Sequence, residues 1–225
     1  MTTRIGVIHF PGTNCDLDVQ YAMAQLGAET EILWHGDASV HAVDVVIVPG
    51  GFAHGDYLRT GAIARFSPVM QAVAEFAAAG GAVVGICNGF QILCEAGLLP
   101  GALQKNAGLK FLCETVEITV ETTTTVVTTG VEKGVRLRIP INHFEGNYVC
   151  TAETLAELRS EDRVVFRYVD NPNGALDDIA GICNPGRNVV GMMPHPERAS
   201  DVLLGSDDGN ALLRSLLTTT TARAR

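Results

Sequence analysis

The sequence has few aromatic residues and few positive charges. Aromatic side chains make up 6% of the 225 residues, and 16 lysines and arginines stand against 25 acidic residues, for a net charge of -9. No run of basic residues precedes Arg223–Arg225. Because nucleic acid is bound through clustered positive charge, we do not expect it as a partner.

Long uninterrupted apolar runs are also missing. The longest apolar stretch, Val69–Ile86, contains Gln71 and Glu75, so it lacks the roughly 20 apolar residues of a membrane-spanning helix. Near the start, only four apolar or small residues, Ile5–Ile8, follow one another, which is too short for the apolar core of a signal peptide. We therefore expect a cytoplasmic protein with no membrane partner.

The cysteines contain no C-x-x-C pair. The six are Cys15, Cys87, Cys94, Cys113, Cys150 and Cys183. Without a secretory signal, we expect reduced thiols rather than disulfides. Hydrophobic residues at 47% and charged residues at 18% are typical of a globular chain, and the length predicts one domain over residues 1–225.

The first hundred residues alternate between apolar runs and helical patterns. Strands are predicted at Ile5–Phe10, Glu29–Trp34, Val43–Val48 and Ala82–Ile86. The clearest helix begins after Ser67 as N-cap, has Pro68 at its first position, and ends at Gly80. This alternation predicts an α/β fold with a doubly wound, mainly parallel, flavodoxin-like sheet.

A β-rich pattern follows, over about residues 109–193, and we interpret it as an insertion into the α/β domain. Its predicted strands are Leu109–Val120, Val126–Thr128, Val135–Ile139, Val164–Val169, Ile179–Cys183 and Val189–Met193. The last two should form a hairpin turning at Asn184–Arg187. The Thr-rich stretch Thr119–Thr129 favours an exposed or edge strand. A final helix is expected to fray into a polar tail, residues 218–225.

Cys87 is the candidate nucleophile. It stands between a predicted buried strand and a helix, with Gly85 and Gly89 two residues to either side, as in a G-x-nucleophile-x-G elbow. A side chain at either glycine would collide with neighbouring backbone in so sharp a turn, and the helix N-terminus favours a thiolate. A core cysteine in such a turn is the alternative. The other five cysteines are expected to pack in the core.

Two backbone N–H groups are expected to hold an oxyanion near this sulfur. Asn88 follows the nucleophile and supplies one donor. The loop Pro49-Gly50-Gly51-Phe52, at the end of a predicted strand, is the candidate for the second. Glycines let the backbone approach a ligand closely, although a simple tight turn would also use them.

His195 is the candidate base, with Glu197 as its orienting carboxylate. Pro196 favours extended backbone at His195, and in an extended chain residues i and i+2 point the same way. Glu197 can therefore hold one ring nitrogen while the other faces Cys87.

Three other histidines remain rivals for the role of base. They are His9, His54 and His143. The last also has a glutamate at i+2, Glu145, but no proline between them. We rank His143 second and expect it near the substrate or a partner rather than at the sulfur.

Taken together, the glycine loop, the cysteine elbow and the late His-x-Glu resemble class I, triad-type glutamine amidotransferases. Within residues 5–198 the chain is similar, in register, to the glutaminase subunits of phosphoribosylformylglycinamidine synthase. The motifs that carry the resemblance are Phe10–Asp16, Pro49–Arg59, Cys87–Leu93, Asn171–Gly174 and Gly191–Arg198. The chain departs from that family at Ala53-His54, where Ser-Tyr is common, and at Asn142 and Phe144, where Ala and Gly are common.

The resemblance implies a reaction and its site residues. Cys87 would attack the carboxamide of L-glutamine, and His195 would protonate the departing nitrogen, which leaves as ammonia. His195 would then activate water against the thioester, and Glu197 would orient His195. Residues expected to bind the oxyanion or the substrate are Gly50, Gly51, Phe52, Asn88, Gln91 and His143. For Gln91 the alternative is a solvated helix position.

No nucleotide-binding motif is present, neither G-x-x-x-x-G-K-[ST] nor G-x-G-x-x-G. We therefore expect no cofactor and no metal in this chain. The resemblance implies that ATP and Mg bind to a separate large synthetase subunit. That subunit, together with a small accessory subunit, would use the ammonia to convert formylglycinamide ribonucleotide into formylglycinamidine ribonucleotide in de novo purine biosynthesis.

Alternatives stay open on the residues alone. The chain could serve another amidotransferase, such as one for guanylate or carbamoyl phosphate synthesis, or act as a cysteine hydrolase. It could also be a non-catalytic regulatory subunit.

Overall fold

The computed structural model describes residues 2–223, and nine of its strands form one sheet in the order β2-β1-β3-β4-β11-β10-β9-β6-β7, while β5 pairs with β8. The strands are β1 Arg4–His9, β2 Glu29–Trp34, β3 Val45–Val48, β4 Ala82–Ile86, β5 Ala102–Gln104, β6 Leu112–Val120, β7 Arg136–His143, β8 Asn147–Val149, β9 Val164–Tyr168, β10 Ile179–Cys183 and β11 Val189–Met192. The α-helices are α1 Asp16–Gln25, α2 Pro68–Ala78, α3 Asn88–Glu95, α4 Ala152–Ser160 and α5 Gly209–Arg223.

Five neighbouring strands, from β2 to β11 in that order, are parallel. Every residue of β3 and β4 is buried, as expected for apolar strands covered on both faces. The connections from β1 to β2 and from β3 to β4 cross the sheet in opposite directions. Right-handed crossovers therefore place α1 and α2 on opposite faces, which confirms the predicted doubly wound sheet.

The β-rich part continues this sheet in antiparallel order, through β10, β9, β6 and β7. The hairpin between β10 and β11 is confirmed, with Gly181 opposite Met192. β6 begins at Leu112 rather than Leu109, and β7 continues to His143, well beyond the predicted end at Ile139. That extension carries His143 toward the carboxyl ends of the parallel strands.

The Thr-rich stretch is neither an edge strand nor exposed throughout. The predicted strand Val126–Thr128 is a turn, and Thr122, Thr125 and Thr128 are buried. The hydroxyls of Thr125 and Thr128 lie 2.7 Å apart and hydrogen-bond to each other. Because these short side chains satisfy one another and the local backbone, the segment folds as a buried turn.

Two helix ends differ in detail from the sequence-based expectation. α2 begins at Pro68 as predicted, but Ser67 makes no capping hydrogen bond, and its hydroxyl lies 3.3 Å from Nδ1 of His35 instead. α5 continues to Arg223, whereas the sequence predicted fraying from Thr218. Ala224 and Arg225 lie outside the described residues. Within residues 2–223, no helix is long and apolar enough to cross a membrane.

Asn188 ties the β10–β11 hairpin to the end of α2. Its side chain is buried and donates to the carbonyl oxygens of Ala77, at 2.9 Å, and Gly81, at 2.7 Å. Leaving buried carbonyls without a donor costs about 1–3 kcal/mol each.

We expect Asn188→Ala to lower the free energy of unfolding by about 1–2 kcal/mol, because the partly buried carbonyl of Gly81 loses its side-chain donor and the carbonyl of Ala77 keeps only the N–H of Gly80. Chemical denaturation of the variant and the wild type measures this difference. Glu132→Ala, at an exposed position, is the control and should change stability by less than about 0.5 kcal/mol. An equally small change in Asn188→Ala would contradict the assignment.

Candidate active site

Cys87 occupies a strained turn between β4 and α3. Its φ is 51° and its ψ is -106°, a conformation that L-residues rarely adopt. A Cβ at Gly89 would collide with the carbonyl oxygen of Val48, and one at Gly85 would lie 2.7 Å from the carbonyl oxygen of Gly89. The steric reason given for both glycines is therefore confirmed.

The Cys87 sulfur lies at a cavity of about 260 Å³. Its side chain is largely buried, and Sγ is 3.6 Å from the carbonyl oxygen of Asn142. The other residues around the cavity are Gly51, Phe52, Asp56, Leu58, Arg59, Thr60, Gln91, Lys105, His143, Phe144 and Glu145. Four of the residues predicted to bind the oxyanion or the substrate thus line the same cavity as Cys87: Gly51, Phe52, Gln91 and His143.

The glycine loop is held in place from two sides. The N–H of Phe52 donates to the carbonyl of Gly12 at 3.0 Å, and the N–H of Ala53 donates to Oδ1 of Asn88 at 3.1 Å. Gly51 has a φ of 143°, and a Cβ there would lie 2.8 Å from the backbone nitrogen of Asn14. Within residues 2–223 the N–H of Gly51 has no protein acceptor, so it is available to a ligand.

Gly50 lies against His195, whereas its neighbour Gly51 lies at the cavity. A Cβ at Gly50 would lie 2.7 Å from Cε1 of His195 and 3.1 Å from Sγ of Cys15. Gly50 therefore makes room for the imidazole, and it is not among the residues around the cavity.

His195 and Glu197 form a buried pair. The distance between His195 Nδ1 and Glu197 Oε1 is 2.6 Å, and both side chains are almost fully buried. The N–H of His195 donates to the carbonyl of Pro140 at 2.8 Å, and its φ of -102° and ψ of 87° are non-helical, as Pro196 favours. Pro196–Arg198 form a 3-10 turn, so Glu197 meets His195 across that turn, and the expected pairing along an extended chain is wrong. Nε2 has no hydrogen-bond partner within the described residues. That nitrogen is free to act on a neighbouring atom.

The electrostatic surroundings of His195 favour its charged form. Burial lowers the pKa of His195, but Glu197, Cys87 and Cys15 outweigh it and hold that pKa well above the ordinary value of 6.5. The imidazolium can therefore act as a proton donor at neutral pH.

His143 lies at the cavity and is neutral there. Its Nδ1 is 3.1 Å from Oδ1 of Asn106, and its buried Nε2 has no partner within residues 2–223. Burial, with a smaller effect of His195, lowers the pKa of His143 to about 4. The rivals His9 and His54 are not among the residues around the cavity.

Gln91 and Asn88 are linked to each other at the start of α3. Both are buried, and Oε1 of Gln91 accepts from Nδ2 of Asn88 at 2.9 Å. Nε2 of Gln91 donates to the carbonyl of Glu145. The alternative of a solvated helix position for Gln91 is therefore wrong. Asn88 connects the elbow to the glycine loop through Ala53.

The sequence pattern alone assigns no role to the four charged residues around the cavity. Asp56 and Glu145 bring carboxylates, and Arg59 and Lys105 bring positive charges. Burial, followed by the charge of Glu145, raises the pKa of Asp56 to about 6. Asp56 lies within the motif Pro49–Arg59, four residues after the predicted loop Pro49–Phe52, but nothing in that pattern gives a reason to assign it a role.

Cys15 was expected to be core packing, and the structure places it beside His195. The segment that precedes α1 packs on the glycine loop, where the N–H of Cys15 donates to the carbonyl of Gly50 at 3.3 Å. Nη2 of Arg198 lies 3.2 Å from the Cys15 sulfur. Nothing in the sequence pattern links Cys15 to His195, since their proximity depends on this loop packing.

Three potential ligand atoms, from Cys15, His195 and Glu197, lie within 4.8 Å of one another. The hydrogen bond between His195 and Glu197 already accounts for their proximity. The guanidinium of Arg198 beside the Cys15 sulfur opposes a second cation at that point. We therefore interpret the group as a hydrogen-bonded network rather than a metal centre.

The chain has close relatives of known description. A family model of the CobB/CobQ-like glutamine amidotransferase domain matches residues 2–207. The phosphoribosylformylglycinamidine synthase subunit PurQ of Rubrobacter xylanophilus is 56% identical and is matched over 95% of this chain and 97% of that protein. The subunit of the same name from Koribacter versatilis is 54% identical, with the same two coverages.

Solved structures agree with the sequence comparison. A chain in the structure of PurLQS from Thermotoga maritima superposes with a TM-score of 0.90 at 42% identity, covering 97% of this chain and 99% of that chain. A putative GMP synthase subunit from Thermoplasma acidophilum has a TM-score of 0.70 at 14% identity, covering 100% of this chain and 96% of that chain, and shares the fold. The chain therefore belongs to the CobB/CobQ-like glutamine amidotransferase family, in the group of phosphoribosylformylglycinamidine synthase PurQ subunits.

Proposed function

We propose that the protein is the glutaminase subunit of phosphoribosylformylglycinamidine synthase. It hydrolyses L-glutamine to glutamate and ammonia. A separate ATP-dependent synthetase subunit uses the ammonia to convert formylglycinamide ribonucleotide into formylglycinamidine ribonucleotide in de novo purine biosynthesis. The observation that carries this proposal is the buried His195–Glu197 pair beside Cys87, at a cavity that the glycine loop also reaches.

In the first half of the reaction, the Cys87 sulfur forms a bond to the side-chain carbonyl carbon of glutamine. The negative charge moves to the carbonyl oxygen, where the N–H groups of Gly51 and Asn88 stabilise it. The imidazolium of His195 then gives its Nε2 proton to the amide nitrogen, the C–N bond breaks, and ammonia leaves. A γ-glutamyl thioester remains on Cys87.

In the second half, water attacks the thioester carbon. Neutral His195 takes the proton from the water, and the same two N–H groups hold the oxyanion. The C–S bond breaks, which restores the thiolate–imidazolium pair, and the new γ-carboxyl group loses its proton to solvent and leaves as glutamate. Glu197 keeps its hydrogen bond to Nδ1 throughout, which keeps the other ring nitrogen for the proton transfers.

The charges around the cavity suit an α-amino acid. Arg59 is already bonded to Glu95 at 2.6 Å, and the groups that act on Asp56 include no cation. The carboxylates of Asp56 and Glu145 are therefore suited to the α-ammonium group of glutamine. Lys105, at the same cavity, is suited to its α-carboxylate.

The reaction requires a partner because free ammonia is protonated and lost in bulk water. The relative from Thermotoga maritima was solved as PurLQS, and we assign this chain the same kind of complex, with a large synthetase subunit and a small accessory subunit. ATP and Mg belong to the synthetase subunit in this proposal, and this chain needs no metal or cofactor. We assign the complex to the cytoplasm.

Cys87→Ala in the assembled complex should abolish glutamine-dependent synthesis and leave ammonia-dependent synthesis near the wild-type rate, because only the nucleophile is lost. Product formation with each nitrogen donor measures the difference. Cys183→Ala, a buried cysteine in β10 away from the cavity, is the matched control. A wild-type complex that does not use glutamine would overturn the proposed function.

Glu197→Gln should lower the glutaminase kcat by about 100-fold or more, because the base loses its orienting carboxylate. Glu197 raises the pKa of His195, so its removal lowers that pKa. The imidazolium is then lost at lower pH, and the alkaline limb of the kcat/KM profile should move toward acid. An unmoved profile between pH 5 and 10 would contradict the role of Glu197.

Asp56→Asn should raise the KM for L-glutamine by roughly tenfold with a smaller change in kcat, since a charged hydrogen bond to the ammonium is lost. With a pKa of about 6, Asp56 is protonated at lower pH, so wild-type affinity should fall below pH 6 and the variant should lack that dependence. Glu75→Gln, on the exposed face of α2, should match the wild type. Equal KM values for Asp56→Asn and wild type would refute the assignment.

A further inference from the structure

Cys15 contacts the catalytic imidazole without being one of the three proposed catalytic residues. Its side chain is almost fully buried. Its sulfur, a ring nitrogen of His195 and a carboxylate oxygen of Glu197 lie within 4.8 Å of one another. The sulfur and the ring also pack against the same Cα, because a Cβ at Gly50 would approach both.

The sulfur of Cys15 is held firmly in place. Nη2 of Arg198 donates to it at 3.2 Å, and its own S–H donates to Oδ1 of Asn14 at the same distance. Nε of Arg198 donates to Oδ2 of Asp18 at 3.1 Å. The guanidinium therefore connects α1 to the turn that carries His195 and Glu197. The Cys15 sulfur is 3.2 Å from that guanidinium and within 4.8 Å of a ring nitrogen of His195.

A single hydrogen bond does not determine the orientation of an imidazole. The ring turns about the Cα–Cβ and Cβ–Cγ bonds, the bond from Nδ1 to Glu197 restrains it at one atom, and Nε2 has no hydrogen-bond partner within residues 2–223. A second contact on the ring removes that freedom. Gly50, which lies against the ring, and the Cys15 sulfur, which lies within 4.8 Å of a ring nitrogen, supply it.

We propose that Cys15, held by Arg198, is a positioning residue for the glutaminase reaction, fixing the His195 ring so that Nε2 faces Cys87. The inference rests on the proposed roles of Cys87 and His195. Cys15 itself exchanges no atom or proton with the substrate.

The titratable and charged groups around His195 come from several elements. The turn after β11 supplies Glu197 and Arg198, the elbow supplies Cys87, and β7 supplies His143. The segment at the start of α1 supplies Cys15, Asp16 and Asp18, of which Asp16 is bonded to His9. α5 also packs against the turn after β11, but its residue at that contact, Gly209, carries no charge. Cys15 is one of the groups that raise the pKa of His195. Removing it should therefore lower that pKa, so that the imidazolium is lost at lower pH.

The test compares Cys15→Ala with Cys183→Ala in the assembled complex, since both remove the same sulfur from a buried position. For Cys15→Ala we expect kcat for glutamine hydrolysis to fall by about tenfold, as misorientation of a reacting group does, with KM within twofold. The alkaline limb of the kcat/KM profile should move toward acid. Cys183→Ala should keep the wild-type kcat and pH profile.

Two further variants separate positioning from packing. Cys15→Ser retains an acceptor for Arg198 and should recover part of the lost kcat. Arg198→Lys keeps the charge but cannot bond to Asp18 and Cys15 as a fork, so it should reproduce the loss of kcat. A wild-type kcat and pH profile in Cys15→Ala would overturn the inference, as would an unmoved profile with no recovery by serine.

Failure of this inference is distinguishable from failure of the proposed function. A wild-type complex active with glutamine, together with unaffected Cys15 and Arg198 variants, rejects only the positioning role. A wild-type complex that uses ammonia but not glutamine rejects the glutaminase itself. Ammonia-dependent synthesis, measured in every variant, should stay at the wild-type rate.

Discussion

The buried hydrogen bond between His195 and Glu197 is the interaction on which the site depends. At 2.6 Å, with both side chains removed from solvent, it keeps a charged imidazole in a place where burial alone would make it neutral. The free Nε2 of His195 and the strained Cys87 can take part in the proposed reaction only if this pair keeps the imidazole charged and oriented. Without the carboxylate, the ring would lose its hydrogen bond at Nδ1 and the largest of the contributions that raise its pKa.

The parallel sheet explains how groups 108 residues apart in sequence meet. β4 and β11 are neighbouring parallel strands, with Ile86 beside Met192, and the N–H of Cys87 donates to the carbonyl of Met192 at 2.7 Å. Both strands end at the same edge of the sheet, so the elbow after one faces the turn after the other. The antiparallel part of the sheet also contributes to the site at this edge, because β7 ends at His143, which lines the cavity.

Close approach of backbone is the second constraint. Gly85 and Gly89 allow the elbow to turn against β3, and Gly50 leaves room for the imidazole. The side chain of Asn88 then joins the elbow to the glycine loop, through the N–H of Ala53. The nucleophile and the two expected oxyanion donors therefore belong to one hydrogen-bonded unit, so a ligand needs to order little backbone when it enters.

The sequence by itself determined the local parts of this protein: the alternation of apolar strands and helices, the elbow around Cys87, and the pairing of His195 with Glu197. These follow from periodicity, from glycine sterics and from the two-residue spacing of His195 and Glu197, all of which act within a few residues. Only the tertiary structure decided that Cys15 lies beside His195 and that Asp56 and Glu145 share the cavity. It also decided that three of the threonines after β6 are buried, namely Thr122, Thr125 and Thr128. Those contacts join residues from separate loops, and loop packing depends on the whole sheet rather than on any pattern that neighbouring residues carry.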